Sequence, residues 1–185
     1  MVKQQVMMRV DRLQTPIGVM RLVVDGAGAL KHADWDVDGD DAGLLPARDP
    51  AGVTSALRAY FGGQLEALDG LRVAGEGTDF QRRVWAALRE IPAGTTQSYG
   101  DLARRIGSPA AVRAVGAANG RNPIGVVVPC HRVIGADGTL TGYAGGLELK
   151  RWLLGHEARH ATRTLGPGTG PDRGAQREPR FARLR

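Results

Sequence analysis

Cysteine is almost missing from this chain: of its 185 residues only Cys130 carries a thiol. A lone cysteine has no partner for an internal disulfide, and with only four histidines the chain makes a poor zinc site. No metal and no cofactor are therefore expected. Long apolar runs are missing as well. No stretch approaches the run of about 18 apolar residues that a membrane span needs, so membrane insertion is not expected. The first eleven residues have neither the apolar core nor the small-residue cleavage site of a secretory leader, which points to a cytoplasmic location.

What remains is a composition suited to a packed core, 42% hydrophobic, with a length that allows one ordinary domain or two small ones. The net charge of +6 is unevenly spread. Residues 1–77 carry −3, residues 78–160 carry +5, and residues 161–185 carry +4 through six arginines. A polyanionic partner would meet the middle segment and the tail.

Residues 9–35 alternate as strands, broken by turns at Thr15-Pro16-Ile17-Gly18 and Asp25-Gly26. Asp34–Asp41 is an acidic loop, and Leu57, Tyr60 and Phe61 stand at helical spacing before the stop Gly62-Gly63. Residues 1–77 thus read as an α/β unit, a small antiparallel sheet with a helix. It carries no recognisable chemistry and serves as a scaffold.

Residues 78–160 are read as a mainly helical, winged-helix-like domain. Thr78-Asp79-Phe80-Gln81 is a capping box, followed at helical period by Val84, Trp85, Leu88 and Ile91. Ser98 caps a second helix ending at Gly107, and Ser108-Pro109 opens a third that runs to about Asn119. Two short helices across a glycine-containing turn make a helix-turn-helix pattern. A last amphipathic helix runs from Leu147 to about His156. Residues 161–185, with four glycines, three prolines and few large apolar residues, are expected to be a disordered basic tail.

Chemistry concentrates in Asn122-Pro123-Ile124-Gly125-Val126-Val127-Val128-Pro129-Cys130-His131-Arg132-Val133. The apolar run reads as a strand that delivers Cys130 beside His131. A thiol with pKa about 8.5 needs a base or a positive neighbour to become a nucleophile. Alone, the pair favours a buried cysteine packed as a small hydrophobe, by about two to one. On the third helix Ala110, Arg113, Ala114 and Ala117 share one face, and small side chains there let a backbone approach a narrow groove closely.

Pro129-Cys130-His131-Arg132-Val133, preceded by Asn122-Pro123, resembles the active site of the O6-alkylguanine-DNA alkyltransferases. The similarity extends from about Phe80 to Glu157 at constant offsets from the cysteine. It takes in Ser98-Tyr99, Arg113-Ala114-Val115-Gly116, Tyr143-Ala144-Gly145-Gly146-Leu147, Lys150, Trp152-Leu153-Leu154 and His156-Glu157. The resemblance implies single-use transfer of an alkyl group from guanine O6, and possible action on O4-alkylthymine. Cys130 is then the nucleophile, His131 takes its proton through a water, and Glu157 orients the imidazole. Tyr99 bonds to the base and helps to protonate the leaving guanine. Asn122 bonds backbone around the cysteine and ties it to the recognition helix. Lys150 assists at the same site, a solvated helix lysine being its alternative.

The same resemblance implies double-stranded DNA as partner, bound as a monomer through the minor groove by Arg113, Ala114, Ala117 and Tyr99. Arg113 fills the space left by an extruded nucleotide. Val133, Tyr143, Ala144 and Gly145 line the pocket for the flipped base, Ala144 standing where some relatives have serine. A non-catalytic binder of alkylated DNA lacks the cysteine. A helix-turn-helix regulator does not need Pro-Cys-His-Arg, and a cysteine hydrolase needs an oxyanion hole that no motif suggests.

Overall fold

The computed structural model describes residues 7–35 and 39–164. Four strands form one sheet in the order β3-β2-β1-β4: β1 (Arg9–Thr15), β2 (Gly18–Val24), β3 (Leu30–Asp34) and the two-residue β4 (Leu45–Pro46). The turn at Pro16-Ile17 joins β1 and β2 in an antiparallel hairpin that pairs Val10 with Val23 and Leu13 with Met20. β3 adds antiparallel to β2 with an irregularity at Val23/Val24. The sheet is mixed rather than wholly antiparallel, because β4 returns alongside β1 in parallel, pairing Arg9 with Leu45. A long connection leaves β3 before β4, so the chain can re-enter in the same direction as β1.

Helix α1 (Val53–Phe61) covers the sheet with Val53, Leu57 and Tyr60, and Gly62-Gly63 ends it as expected. Helix α2 (Asp79–Arg89) begins at the Thr78 capping box, in which Thr78 Oγ1 accepts from the Gln81 N–H and Gln81 Oε1 accepts from the Thr78 N–H. It buries Val84, Trp85 and Leu88 at the predicted period. Trp85 donates from Nε1 to the Ala118 carbonyl at 2.9 Å, which fixes α2 against helix α4 (Val112–Gly120). Helix α3 (Tyr99–Arg105) is capped by Ser98 with Asp101. Before α4 the expectation fails in detail. Pro109–Ala111 form a 3-10 turn, Ser108 makes no side-chain cap, and the regular helix starts at Val112.

A short parallel ribbon joins β5 (Gln97–Ser98) to β6 (Val133–Ile134), pairing Gln97 with Val133. It sets the start of α3 beside the chain that leaves the cysteine. Helix α5 (Leu147–Thr164) is longer than its sequence pattern suggested and takes in Ala161–Thr164, which had been assigned to the tail. The remainder of that tail lies outside the described residues.

One hydrophobic core runs through both halves, from Leu22 and Tyr60 to Leu102, Val128 and Leu153. Backbone hydrogen bonds also cross between them. Ala33 in β3 donates to the Pro123 carbonyl at 3.0 Å and accepts from the Gly125 N–H at 2.7 Å. The edge of the N-terminal sheet is therefore paired with the loop that carries the cysteine.

Candidate active site

Cys130 does not sit on a strand. The valine-rich run folds into consecutive tight turns: Val127 N–H bonds to Gly125 C=O at 2.8 Å, Val128 N–H to Ile124 C=O at 3.0 Å, and Cys130 N–H to Val128 C=O at 2.8 Å. The last is an inverse γ-turn centred on Pro129, at φ −82° and ψ 64°. Val126 is held at φ 68°, a conformation that β-branched residues rarely adopt and that costs of order 1–3 kcal/mol. Two prolines and the Asn122 side chain force this geometry. Asn122 Nδ2 donates to Val128 O at 2.8 Å, while its Oδ1 accepts from the Ile124 N–H at 3.0 Å. Backbone groups that a sheet would have paired are taken up inside the loop. Cys130–Arg132 then make a single 3-10 turn.

This turn aims three neighbouring side chains at different targets. The Cys130 thiol receives Asn122 Nδ2 at 3.1 Å and opens onto a cavity of about 450 Å³. Burial pushes the thiol above its ordinary pKa, and the bond from Asn122 and the charge of Lys150 offset only part of this. His131 is fully buried; its Nε2 meets Glu157 Oε1 at 2.9 Å, and its Nδ1 has no partner among the described residues. Burial lowers its pKa despite the neighbouring carboxylate, so the resting imidazole is neutral. Arg132 clamps Glu157 with Nε at 3.0 and 3.2 Å and Nη2 at 2.8 Å, and also donates to the Ile91 carbonyl.

Glu157, on α5, is the hub. Besides His131 and Arg132 it accepts from the Tyr60 hydroxyl at 2.8 Å and the Gly94 N–H at 3.0 Å. Burial pushes the carboxyl pKa upward, but His131 and Arg132 outweigh it and hold the group ionised far below the usual carboxylate range.

Lys150 is not a solvated helix lysine. It is buried, and its Nζ donates to Val133 O at 2.7 Å and Thr141 O at 2.9 Å. Burial draws its pKa down to about 8. It thereby ties β6 to the loop that enters α5. In that loop Thr141 donates to the Tyr99 hydroxyl at 3.2 Å.

The cavity is lined by Tyr143, Ala144 and Gly145, by Ala33, Asp34 and Trp35, and by Cys130 and Asn122. Val133 does not line it; the residue is wholly buried, and its role here is the carbonyl that receives Lys150. Tyr99 likewise stands outside the lining, on the first turn of α3. On α4 Arg113, Ala114 and Ala117 form an exposed face, with Val115, Ala118 and Asn119 buried beneath. Ala110 is exposed on the preceding turn. A second concavity, of about 590 Å³, belongs wholly to the N-terminal half and contains no nucleophile.

Three contributions were missed from sequence. Arg132 lay inside the quoted motif without a role, although a cation within an apolar run requires a buried counter-charge. Tyr60 stood out only for its helical spacing with Leu57 and Phe61, and Trp35 fell within the acidic loop. Both residues belong to the N-terminal half, which thus reaches the surroundings of the cysteine directly.

Residues 79–159 match the family model described as 6-O-methylguanine DNA methyltransferase, DNA binding domain. The methylated-DNA–protein-cysteine methyltransferase of Salmonella typhimurium is 47% identical over 160 residues, 80% of this chain and 94% of the relative. That of Mycolicibacterium paratuberculosis is 56% identical over 115 residues, 62% of this chain and 69% of the relative. The crystal structure of Mycobacterium tuberculosis O6-methylguanine methyltransferase superposes with a TM-score of 0.74 at 42% identity, covering 83% of this chain and 94% of that one. The same protein in complex with DNA matches at a TM-score of 0.74 and 43% identity, covering 84% of this chain and 94% of that one.

Proposed function

The chain belongs to the methylated-DNA–protein-cysteine methyltransferase family, and from that premise we propose that it repairs DNA by moving the alkyl group of O6-alkylguanine irreversibly onto Cys130. One observation carries the assignment of the nucleophile. The only thiol in the chain opens onto a cavity and is backed by a buried imidazole–carboxylate pair. In the reaction a bond forms between Sγ and the alkyl carbon as the carbon–O6 bond breaks. The thiol proton passes to Nδ1 of His131 through a water, and Glu157 stabilises the imidazolium. Tyr99 supplies a proton to the departing guanine, and the proton on His131 restores the balance. Asn122 holds the sulfur and the loop, and Lys150 adds positive charge near the developing thiolate.

The region from α3 to β6 acts as a winged-helix-like reader of the minor groove, with α4 as the recognition helix. The exposed small residues Ala114 and Ala117 support a close approach, and Arg113 fills the gap left by the extruded nucleotide. Tyr143, Ala144 and Gly145 receive the base. The protein acts as a monomer in the cytoplasm; among the described residues no helix is long and apolar enough to cross a membrane. Mass spectrometry after mixing with a methylated-guanine oligonucleotide tests the assignment. One added methylene on Cys130 is expected, and an unmodified protein overturns it.

Arg113→Ala separates extrusion from chemistry. The variant keeps most of its reactivity toward free O6-alkylguanine but loses at least about tenfold on the same lesion in a duplex, because unstacking a base costs a few kcal/mol. Equal losses on both substrates would make Arg113 a structural residue.

A pH profile follows from the electrostatics. With the thiol pKa raised and the imidazole pKa lowered, one protonation state of the pair, thiol beside neutral imidazole, spans neutral pH. Moving the proton within the pair does not change its total charge, so the pair leaves single-turnover rates flat through neutrality, and on the alkaline side they decline as Lys150 loses its charge around pH 8. They fall on acidification only below 6.5, where His131 is protonated and can no longer accept. A rate already falling between pH 8 and 7 would contradict this.

A further inference from the structure

We propose that Tyr60, from the N-terminal half, is a positioning residue for alkyl transfer, holding and tuning the Glu157–His131 pair; the proposal rests on the functional reading above. Tyr60 is fully buried on α1, and its hydroxyl donates at 2.8 Å to Glu157 Oε1. That same oxygen faces His131 Nε2 at 2.9 Å. Arg132 Nε and Nη2 reach this oxygen as well, at 3.2 and 2.8 Å, so Tyr60 is one of the donors that divide its charge and limit how strongly Glu157 can favour the imidazolium. Arg132 loads the same carboxylate from the cysteine turn, the Gly94 N–H loads it from the end of the α2 connection, and the Lys150 cation lies near His131. Of these donors only Tyr60 comes from the first 77 residues.

The phenol is a dependable donor. Burial and the Glu157 charge hold its pKa well above 10, so it keeps its proton throughout the working range. Its ring is wedged between Phe61 and His156 at centroid distances of 5.3 and 5.2 Å, and its backbone carbonyl accepts from His156 Nε2 at 2.8 Å. Both ends of the residue are thus fixed to α5, the helix that carries Glu157. A hydroxyl needed only to satisfy the core would not have to land on the oxygen that orients the catalytic imidazole.

Tyr60→Phe removes the hydroxyl and keeps the ring. Without it Glu157 Oε1 favours imidazolium more, so the pKa of His131 rises. The acid limb of the transfer-rate profile moves to higher pH by roughly half a unit to one unit, the scale of one charge-assisted bond shared between two protonation states. The rate at pH 6 accordingly falls several-fold more than the rate at pH 8, and affinity for undamaged duplex does not change. The imidazole resonances of His131, titrated by NMR in a Cys130→Ser background with and without Tyr60→Phe, report the same shift without any chemistry. A lowered melting temperature with unmoved rate profile and unmoved titration would make Tyr60 structural and overturn the proposal. Wild-type protein that fails to alkylate Cys130 in the parallel control would instead overturn the functional reading.

Discussion

Cys130→Ser binds alkylated duplex DNA with unchanged affinity and transfers nothing measurable, a loss of roughly four orders of magnitude or more. Serine fits the cavity, and Asn122 Nδ2 can donate to its oxygen as it does to the sulfur at 3.1 Å. The proposed binding surface on α4 is untouched. What disappears is a nucleophile whose proton a buried, neutral imidazole can take. An alcohol is far less acidic than a thiol, and His131, its basicity lowered by burial, cannot make up the difference. The wild-type protein yields at most one alkylated product per molecule, because a carbon–sulfur thioether is not hydrolysed. Single-turnover assays with labelled oligonucleotide check both statements. Repeated turnover by wild type, or residual transfer by the serine variant, would place the chemistry elsewhere.

The largest effect on stability comes from Glu157→Gln, expected to cost about 3–5 kcal/mol, the range for breaking a buried ion pair on one side. The amide is nearly isosteric, so the loss is not one of volume. It leaves the Arg132 guanidinium inside the protein without its counter-charge and sets an amide N–H₂ against the donors of His131, Tyr60 and Gly94. The same site gives the wild-type protein an acid-labile component. The Glu157 pKa is depressed in the folded state, so its stabilisation is complete above the ordinary value of 4.5 and is lost as pH falls through the folded one. Urea titrations of both proteins at pH 7, and of the wild type in steps downward from about pH 5, measure each quantity. A loss below about 1 kcal/mol at pH 7 would mean that water or a rearranged Arg132 replaces the carboxylate.

Local patterns in the sequence proved good guides to local structure. Thr78/Gln81 and Ser98/Asp101 are capping boxes because the pairing needs only residues three apart. The β1–β2 hairpin follows from alternation and a turn in the same way. The cysteine loop was misread because three consecutive valines favour a strand wherever backbone partners exist; here the partners are Asn122 and the loop itself. Ser108-Pro109 has the composition of a helix start, yet Val112 begins the regular helix. Cys130, His131, Asn122 and Glu157 do come together. Glu157 could be tied to His131 only through the family resemblance, since 26 residues separate them. Tyr60, 97 residues away from Glu157, had no local signal at all beyond a phenol in a core, whose hydroxyl must find a partner.

The pairing of Ala33 with Pro123 and Gly125 sets an order of events during synthesis. The strand that holds Ala33 leaves the ribosome first and must wait while some ninety residues follow before its edge is taken up. Closing a loop of that length is among the slower steps in forming a domain, and until then the strand edge is open to other nascent chains. Through that interval Glu157 lacks the Tyr60 hydroxyl, and the cavity at Cys130 lacks its Ala33 and Trp35 lining. The site is therefore complete only once the two halves of the chain have joined, Tyr60 on Glu157 and Trp35 at the cavity.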